Sequence, residues 1–555
     1  MWYGTHRPAL LDSFRMLPET KSSTVAEAVA PASLGQRFGP ALLASILYAA
    51  LTATVVLGAW RASDHHFIYA LDDTYIGMAM AKSLALHGVW GVTPFVFSSS
   101  DSSLLFPILL GAAYRLFGVN LYAPLVLSWI FGLLSIFVAQ RILAGFLNRK
   151  AQTVVLFLLV LFAPLFVVGV IGMEHSLHLL LTLLFLEYFL RDDAHHTRLV
   201  TIAAIATLMV ASRYEGLFFV APACCILAWQ HRWKSAFAIA AGAALPVCAY
   251  AIFSVAHGAY WLPNSVALKG TGGDHPGLMQ AGSNVLARIV ENLREGPQLF
   301  LLLTGIVVTT VFLARKTPRI AIPLLLVLGA GCLHILLAQV GMYYRYDAYL
   351  FAAGTIAVAC ALPSLKRLAP QPAFIAAYLL FVVTGASFLM MSVALVHMVP
   401  LISRNIYLRQ WQMGRFVHAY YPNANVAAND IGAVNYLSNI HCYDLVGLAN
   451  QEIFFARRSG RYTTQFLRTD AAAQGVEIAI PYDRWFGDPP GVVVGGPPLP
   501  SNWIRVAHWQ LDDPSVIGDT VVSFYAVDPA EAPGLRSAVM QFAAQLPASV
   551  HTFPN

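Results

Sequence analysis

Apolar residues in this chain come in long, nearly uninterrupted runs, such as Gln152–Gly172, Ile320–Leu337 and Phe374–Val396. Each is close to the roughly 20 residues that a helix needs to cross about 30 Å of hydrocarbon. Composition points the same way. The chain is 58% hydrophobic and 11% charged over 555 residues, too few charges to keep the surface of a soluble protein of this size wet. The expected fold is a polytopic α-helical membrane protein.

Candidate spans cover roughly 39–60, 122–144, 152–171, 175–191, 199–213, 216–230, 234–256, 297–315, 319–340, 348–363 and 373–399, about eleven in all. Their orientation follows from Lys and Arg, which accumulate in cytoplasmic loops. The N-terminal tail holds Arg7, Arg15, Lys21 and Arg37. From a cytoplasmic start, the even-numbered spans end at Arg141/Arg149/Lys150, Arg191/Arg198, Arg232/Lys234, Arg315/Lys316/Arg319 and Lys366/Arg367. The parity holds throughout, and the net charge of +6 is explained by these anchors without an acidic partner or nucleic acid. Counting the short apolar stretch Ser103–Gly118 as a span would turn those basic loops outward. It reads instead as a juxtamembrane or re-entrant helix packed on the bundle, within one large external loop, 61–121.

The first 38 residues lack an apolar segment followed by a small-residue cleavage site, so they read as a cytoplasmic tail before an uncleaved span. Residues 39–400 form the membrane domain. After Pro400 no spanning run remains. Short β-patterned segments (Val426–Ala428, Val492–Val494, Thr520–Tyr525) alternate with turn clusters such as Asp488-Pro-Pro-Gly and Gly495-Gly-Pro-Pro, so 401–555 is expected to be a small external mixed α/β domain. Five of the six cysteines lie in apolar runs and only Cys442 lies in the soluble part, which argues against a disulfide framework.

With the topology fixed, the unusual polar residues fall on one face. The first external loop carries Asp72-Asp73-Thr-Tyr75-Ile and later Ser98-Ser-Ser-Asp101-Ser-Ser. The remaining external junctions read Gly172-Met-Glu174-His175, Arg213-Tyr-Glu215-Gly216, Leu262-Pro-Asn264 through Lys269, and Arg345-Tyr346-Asp347. Ionisable groups at helix ends facing a bundle interior are costly unless paired, and so suggest function. Each has a plainer reading. Asp72-Asp73 could cap the helix that follows, Arg213 and Arg345 could snorkel to the interface, and Asp101 with its serines could be a polar turn. His65, His66 and His175 show no regular metal-ligand spacing, and no metal site is assigned.

In this order, the Asp-Asp-x-Tyr-Ile, Gly-x-Glu, Arg-x-Glu-Gly, Leu-Pro-Asn-x-x-x-x-Lys and Arg-Tyr segments resemble the GT-C superfamily of polyprenyl-phosphate-sugar-dependent glycosyltransferases. The chain is most similar to the mycobacterial-type arabinofuranosyltransferases that end in an external domain. Asn429-Asp430-Ile-Gly432-Ala and Asp444-Leu-Val-Gly447-Leu resemble segments of such domains too. Tyr214, His175 and Asp347-Ala-Tyr depart from the common pattern. The resemblance, over roughly 65–450, implies a sugar, such as the pentofuranose arabinose, moved from a polyprenyl-phosphate donor to a cell-envelope glycan, lipid or protein. Transfer would occur outside a bacterial cytoplasmic membrane, with an aspartate of the first external loop as base. No cofactor is implied, although a divalent ion assists some relatives.

The residues fit that chemistry. A sugar phosphate is already activated, so one carboxylate near the acceptor hydroxyl suffices, and cations must receive the departing phosphate. The expected base is Asp72, with Asp73 orienting it or holding a sugar hydroxyl, and the reversed assignment stays open. Arg345, Arg213 and Lys269 are candidate phosphate partners. Glu174, Glu215, Asn264, Tyr75, His175 and Tyr346 complete the candidate substrate-binding set. A transporter or flippase of lipid-linked sugars, or a non-catalytic assembly protein, is the competing expectation. Transporters place their sites near the midplane between repeated halves, and no inverted repeat is visible.

Overall fold

The computed structural model describes residues 34–190, 196–269, 278–314, 316–487, 495–513 and 519–555. Arg7, Arg15, Lys21, Arg191, Arg315, Asp488-Pro-Pro-Gly and Val492–Val494 lie outside the described residues, as do the side chains of Arg37, Lys269 and Arg319.

Each expected span coincides with a helix or a bent pair of helices. Among the described residues six helices are long and apolar enough to cross a membrane on their own, within Phe38–Ala62, Ala123–Leu143, Trp233–Ala256, Ile320–Leu337, Ala348–Leu368 and Phe374–Tyr420. The run 152–171 is not one straight rod. Arg149–Phe162 and Leu165–Ile171 meet at 45°, because Pro164 supplies no N–H to the ladder and its ring disturbs the preceding turn. Val285–Glu295 and Pro297–Leu313 meet at 99° around Gly296 and Pro297. His175–Leu190, Arg198–Ser212 and Tyr214–Trp229 are apolar but shorter.

The helix Leu105–Phe117 has one buried stripe, Phe106, Leu110 and Tyr114, spaced by four residues as one helix face requires. That stripe packs on the helix Asp72–His87, so the segment lies against the bundle as its short length implies. At the other end of the bundle, Arg141 and the 3%-exposed Glu187 pair at 2.5 Å. This contact joins the C-terminal ends of the helices Ala123–Leu143 and His175–Leu190.

The last long helix does not stop where the apolar run stops. It continues through Pro400 to Ile406, then through a wide turn, Tyr407–Trp411, into the helix Gln412–Tyr420. Pro400 packs against Gly58 of the first helix, where a Cβ would meet its ring at 2.9 Å. Beyond it the buried residues Leu408, Met413, Phe416 and Val417 exchange lipid for the core of the sheet domain. The helix is thus a strut shared by both parts, and Arg404 on it bonds the Ala62 carbonyl and Asp513, both at 2.6 Å.

The soluble part is a six-stranded sheet of strands β1 (Asn425–Ala428), β2 (His441–Asp444), β3 (Ile478–Ile480), β4 (Ile504–Leu511), β5 (Val521–Ala526) and β6 (Val550–Pro554), in the order β2-β1-β3-β5-β4-β6. Strands β2, β1 and β3 run parallel, with Val426 between Cys442 and Ile478. The β3–β5, β5–β4 and β4–β6 pairs are antiparallel. The chain is therefore a multi-pass α-helical membrane protein carrying a small mixed α/β domain.

Candidate active site

Four consecutive residues, Asp72 to Tyr75, tie the first turn of one helix in four directions. The Asp72 carboxylate accepts from the backbone N–H groups of Gly432 and Ala433, at 2.7 and 2.8 Å. Asp73 pairs with Arg345, Oδ2 to Nη2, at 2.6 Å. Thr74 donates to the Ile171 carbonyl at 2.8 Å, and the Tyr75 hydroxyl accepts from the Tyr69 N–H at 3.0 Å. Neither aspartate caps its own helix, whose N-cap position is Leu71 without a side-chain bond. The expectation that they cap the following helix is therefore not met: Asp72 instead accepts from the first N–H groups of the helix Gly432–Leu437 of the soluble domain.

Around Arg345 the other external junctions converge. Its guanidinium contacts Met173 Sδ at 3.1 Å and the Tyr346 hydroxyl at 2.9 Å. The Tyr346 ring lies under both cations, 4.8 Å from Arg345 and 5.3 Å from Arg213, distances at which the ring face attracts a guanidinium. Arg213 is held between Glu174 and Glu215, each at 2.5 Å, and its Nη1 lies 2.9 Å from His175 Nε2. Glu174 is 2% exposed and Glu215 17%, whereas Asp73 is 40% exposed beside an Arg345 that is 1% exposed. The site therefore has a closed scaffold, Arg213 held by two carboxylates, and beside it a buried Arg345 whose partner Asp73 is part-exposed.

Local backbone geometry explains two of the motifs. Gly172 has φ +71°, and a Cβ there would meet the Tyr69 ring at 2.5 Å, so conformation and space both require glycine. Tyr69 in turn donates to the Leu121 carbonyl and accepts from the Leu125 N–H, which fixes the start of the second span against the site. Ahead of Arg345, Gly341, Met342, Tyr343 and Tyr344 all have positive φ, at 86°, 48°, 62° and 59°. Three of these are not glycine, and each residue in this left-handed region costs roughly 1–2 kcal/mol. Asp347 holds the turn: its Oδ2 accepts from the Gly341 N–H at 2.9 Å, and His334 Nε2 lies 3.1 Å from its Oδ1.

Sequence reasoning passed over Asp101 as a polar turn. Its Oδ1 accepts from the Ser103 N–H at 2.9 Å, and it packs on Gly77, where a Cβ would lie 3.3 Å from Oδ2. Gly77 is one helical turn beyond Asp73. Burial, reinforced by Glu174, pushes the Asp101 carboxyl up to about 8, against the Ser103 N–H that lowers it. Asn264 stands apart from the cations. Its amide donates to the Gly447 and Leu448 carbonyls, at 3.2 and 3.1 Å, tying an external loop to the soluble domain. Among the described residues no group of three or more His, Cys, Asp or Glu is gathered closely enough to hold a metal ion.

Residues 404–525 match the family model described as Domain of unknown function (DUF8728). No curated protein matches the sequence. The fold is similar to that of ArnT from Cupriavidus metallidurans bound to undecaprenyl phosphate, with TM-score 0.50 and 12% identity over 88% of this chain and 98% of that one. It is also similar to the apo Archaeoglobus fulgidus oligosaccharyltransferase, with TM-score 0.53 and 12% identity over 94% of this chain and 77% of that one. The archaeal oligosaccharyltransferase AglB from the same organism, in complex with an inhibitory peptide and a dolichol-phosphate, gives TM-score 0.50 at 13% identity, with coverage of 94% and 77%. The fold of this chain is thus shared with these proteins over most of its length.

Proposed function

We propose that the protein is a membrane glycosyltransferase of the GT-C type, taking its sugar from a polyprenyl-phosphate donor. Asp73, rather than Asp72, is the base, and the observation that carries this is its 40% exposure beside Arg345 at 2.6 Å. Asp72 already has both carboxylate oxygens bonded to backbone N–H groups and offers little to an acceptor. In the reaction an acceptor hydroxyl oxygen forms a bond to the anomeric carbon while the bond from that carbon to the phosphate oxygen breaks. The hydroxyl proton passes to Asp73, and the lipid phosphate leaves with the electron pair against Arg345, whose planar fork suits a phosphate.

Two solved relatives of this fold carry undecaprenyl phosphate or a dolichol-phosphate, which supports the donor class. With the basic loops cytoplasmic, the site faces the periplasm of a bacterial inner membrane. There the acceptor is a cell-envelope glycan, lipid or protein. A pentofuranose is the first sugar to try, given the resemblance in the motifs. A transporter site near the midplane fits less well, because the paired charges sit at helix ends.

The test uses purified full-length protein in lipid nanodiscs with radiolabelled polyprenyl-phosphoryl sugars and envelope acceptors, with divalent ion or chelator in parallel. Wild type should transfer, and Asp73→Asn should lower kcat by about 10²–10⁴-fold. No transfer by wild type from any donor, or undiminished transfer by the variant, rejects the reading.

A further inference from the structure

The helix that carries Asp73 grips a soluble-domain helix at both ends. Asp72 accepts from the N–H groups of Gly432 and Ala433 at the start of Gly432–Leu437. One helix pitch and more away, Lys82 Nζ donates to the Tyr436 carbonyl at 3.0 Å and the Ser438 carbonyl at 3.4 Å at its end. Those are the backbone groups a helix leaves unpaired at its termini, and an acceptor meets the N–H end and a donor the carbonyl end. The fit is tight. A Cβ on Gly432 would lie 2.7 Å from the Asp72 carboxyl carbon, so glycine is required for the approach.

The place of this contact in the sheet is informative. The strand order β2-β1-β3 makes a switch point beside β1, because the chain leaves β1 for one neighbour and later returns to the other. In sheets of this kind ligands enter the crevice beyond the carboxyl ends of the parallel strands at such a point. Here Asn429 and Asp430 follow β1, and Asn429 Oδ1 accepts from the Tyr482 N–H just after β3 at 2.9 Å. Asp430 is bonded by Gln410 Nε2 at 2.7 Å. The membrane domain's own carboxylate, Asp72, reaches the helix start that leads out of this crevice.

We infer that Asp72, Lys82 and Gly432 are positioning residues, a clamp through which the soluble domain sets the depth and rotation of the helix Asp72–His87 and thereby aims the adjacent Asp73. The inference rests on the reading of Asp73 as base. Misplacing a reacting group by about 1 Å can cost on the order of 10²-fold in rate, so the clamp acts on kcat rather than on donor affinity.

The experiment measures kcat and donor KM of the full-length protein in nanodiscs for Asp72→Ala, Asp72→Asn, Lys82→Gln, Gly432→Ala and the Asp72→Ala/Gly432→Ala double variant. Hydrogen exchange of the helix Asp72–His87 is followed in parallel. Asp72→Ala, Lys82→Gln and Gly432→Ala should each lower kcat roughly 10–100-fold with KM nearly unchanged and exchange faster in that helix. Asp72→Asn, which keeps one accepting oxygen, should recover part of the rate. The double variant should be no worse than the worse single one, since both break one contact. Wild-type kcat in Lys82→Gln and Gly432→Ala overturns the clamp. So does equal and complete loss in Asp72→Ala and Asp72→Asn with Gly432→Ala unaffected, the pattern of a base at Asp72. A wild type without transferase activity fails the functional reading instead, and the exchange measurement then still reports whether the two helices are held together.

Discussion

Asp72 and Asp73 are adjacent in the chain yet belong to different structures: Asp72 is bonded to the backbone of the soluble domain and Asp73 to the guanidinium of Arg345 in the membrane domain. Successive helical residues point about 100° apart, so one turn can face two partners. One carboxylate is thereby tied to the soluble domain and its neighbour to the membrane domain.

Arg345 should be indispensable in a way that lysine cannot mend. On the proposed mechanism Arg345→Ala removes the cation that receives the leaving phosphate, and kcat should fall by about 10²–10³-fold. Arg345→Lys keeps the charge but loses the planar fork that also reaches Tyr346 and Met173, and it should recover only a minor share. Turnover with a lipid-linked donor reports both values, and wild-type rates in the lysine variant would contradict the assignment.

Arg213 should matter mainly for stability. Removing it leaves Glu174, 2% exposed, without its charge partner, and breaking a buried pair from one side costs about 3–5 kcal/mol. Arg213→Ala should therefore melt well below wild type in detergent. Adding Glu174→Gln should restore part of the loss, because the stranded charge is gone. An Arg213→Ala variant that melts with wild type would show the pairing to be energetically idle.

Asp101 gives a pH prediction. Its carboxyl is raised from the ordinary 3.8 to about 8 by burial and by Glu174. Between those values the folded chain keeps a proton that the unfolded chain has released, so its contribution to stability is lost as pH rises across that window. Asp101→Asn mimics the protonated form and should melt with a shallower decline between pH 5 and pH 8 than wild type. A decline as steep as wild type's would mean that Asp101 does not titrate there.

The membrane bundle was legible in the sequence because spans announce themselves by length and apolarity, and Arg213, Glu174, Glu215 and Arg345 stood out as charges at span ends. The roles of Asp72 and Asp73 were not legible. Which of two neighbouring carboxylates meets which partner depends on Gly432, 360 positions away, and no local signal carries that pairing. Lys82 carries no local signal that it reaches the soluble domain. The left-handed turn was hidden for a different reason: Met342, Tyr343 and Tyr344 lack the glycine or asparagine that usually marks such backbone. Continuation of the last helix past Pro400 was missed because apolarity ended there, while helical hydrogen bonding went on under cover of the sheet.

That turn makes the loop before Arg345 a ready target for engineering. Met342 is 47% exposed, so Met342→Gly forfeits little packing while relieving a left-handed residue, and it should raise stability by about 1 kcal/mol, readable as a higher Tm. If turnover falls as Tm rises, the protein trades thermal resistance for a loop poised to move around the proposed lipid-linked substrate. If turnover is unchanged, the tension in the turn is an ordinary cost of joining two helices, and it can be engineered away.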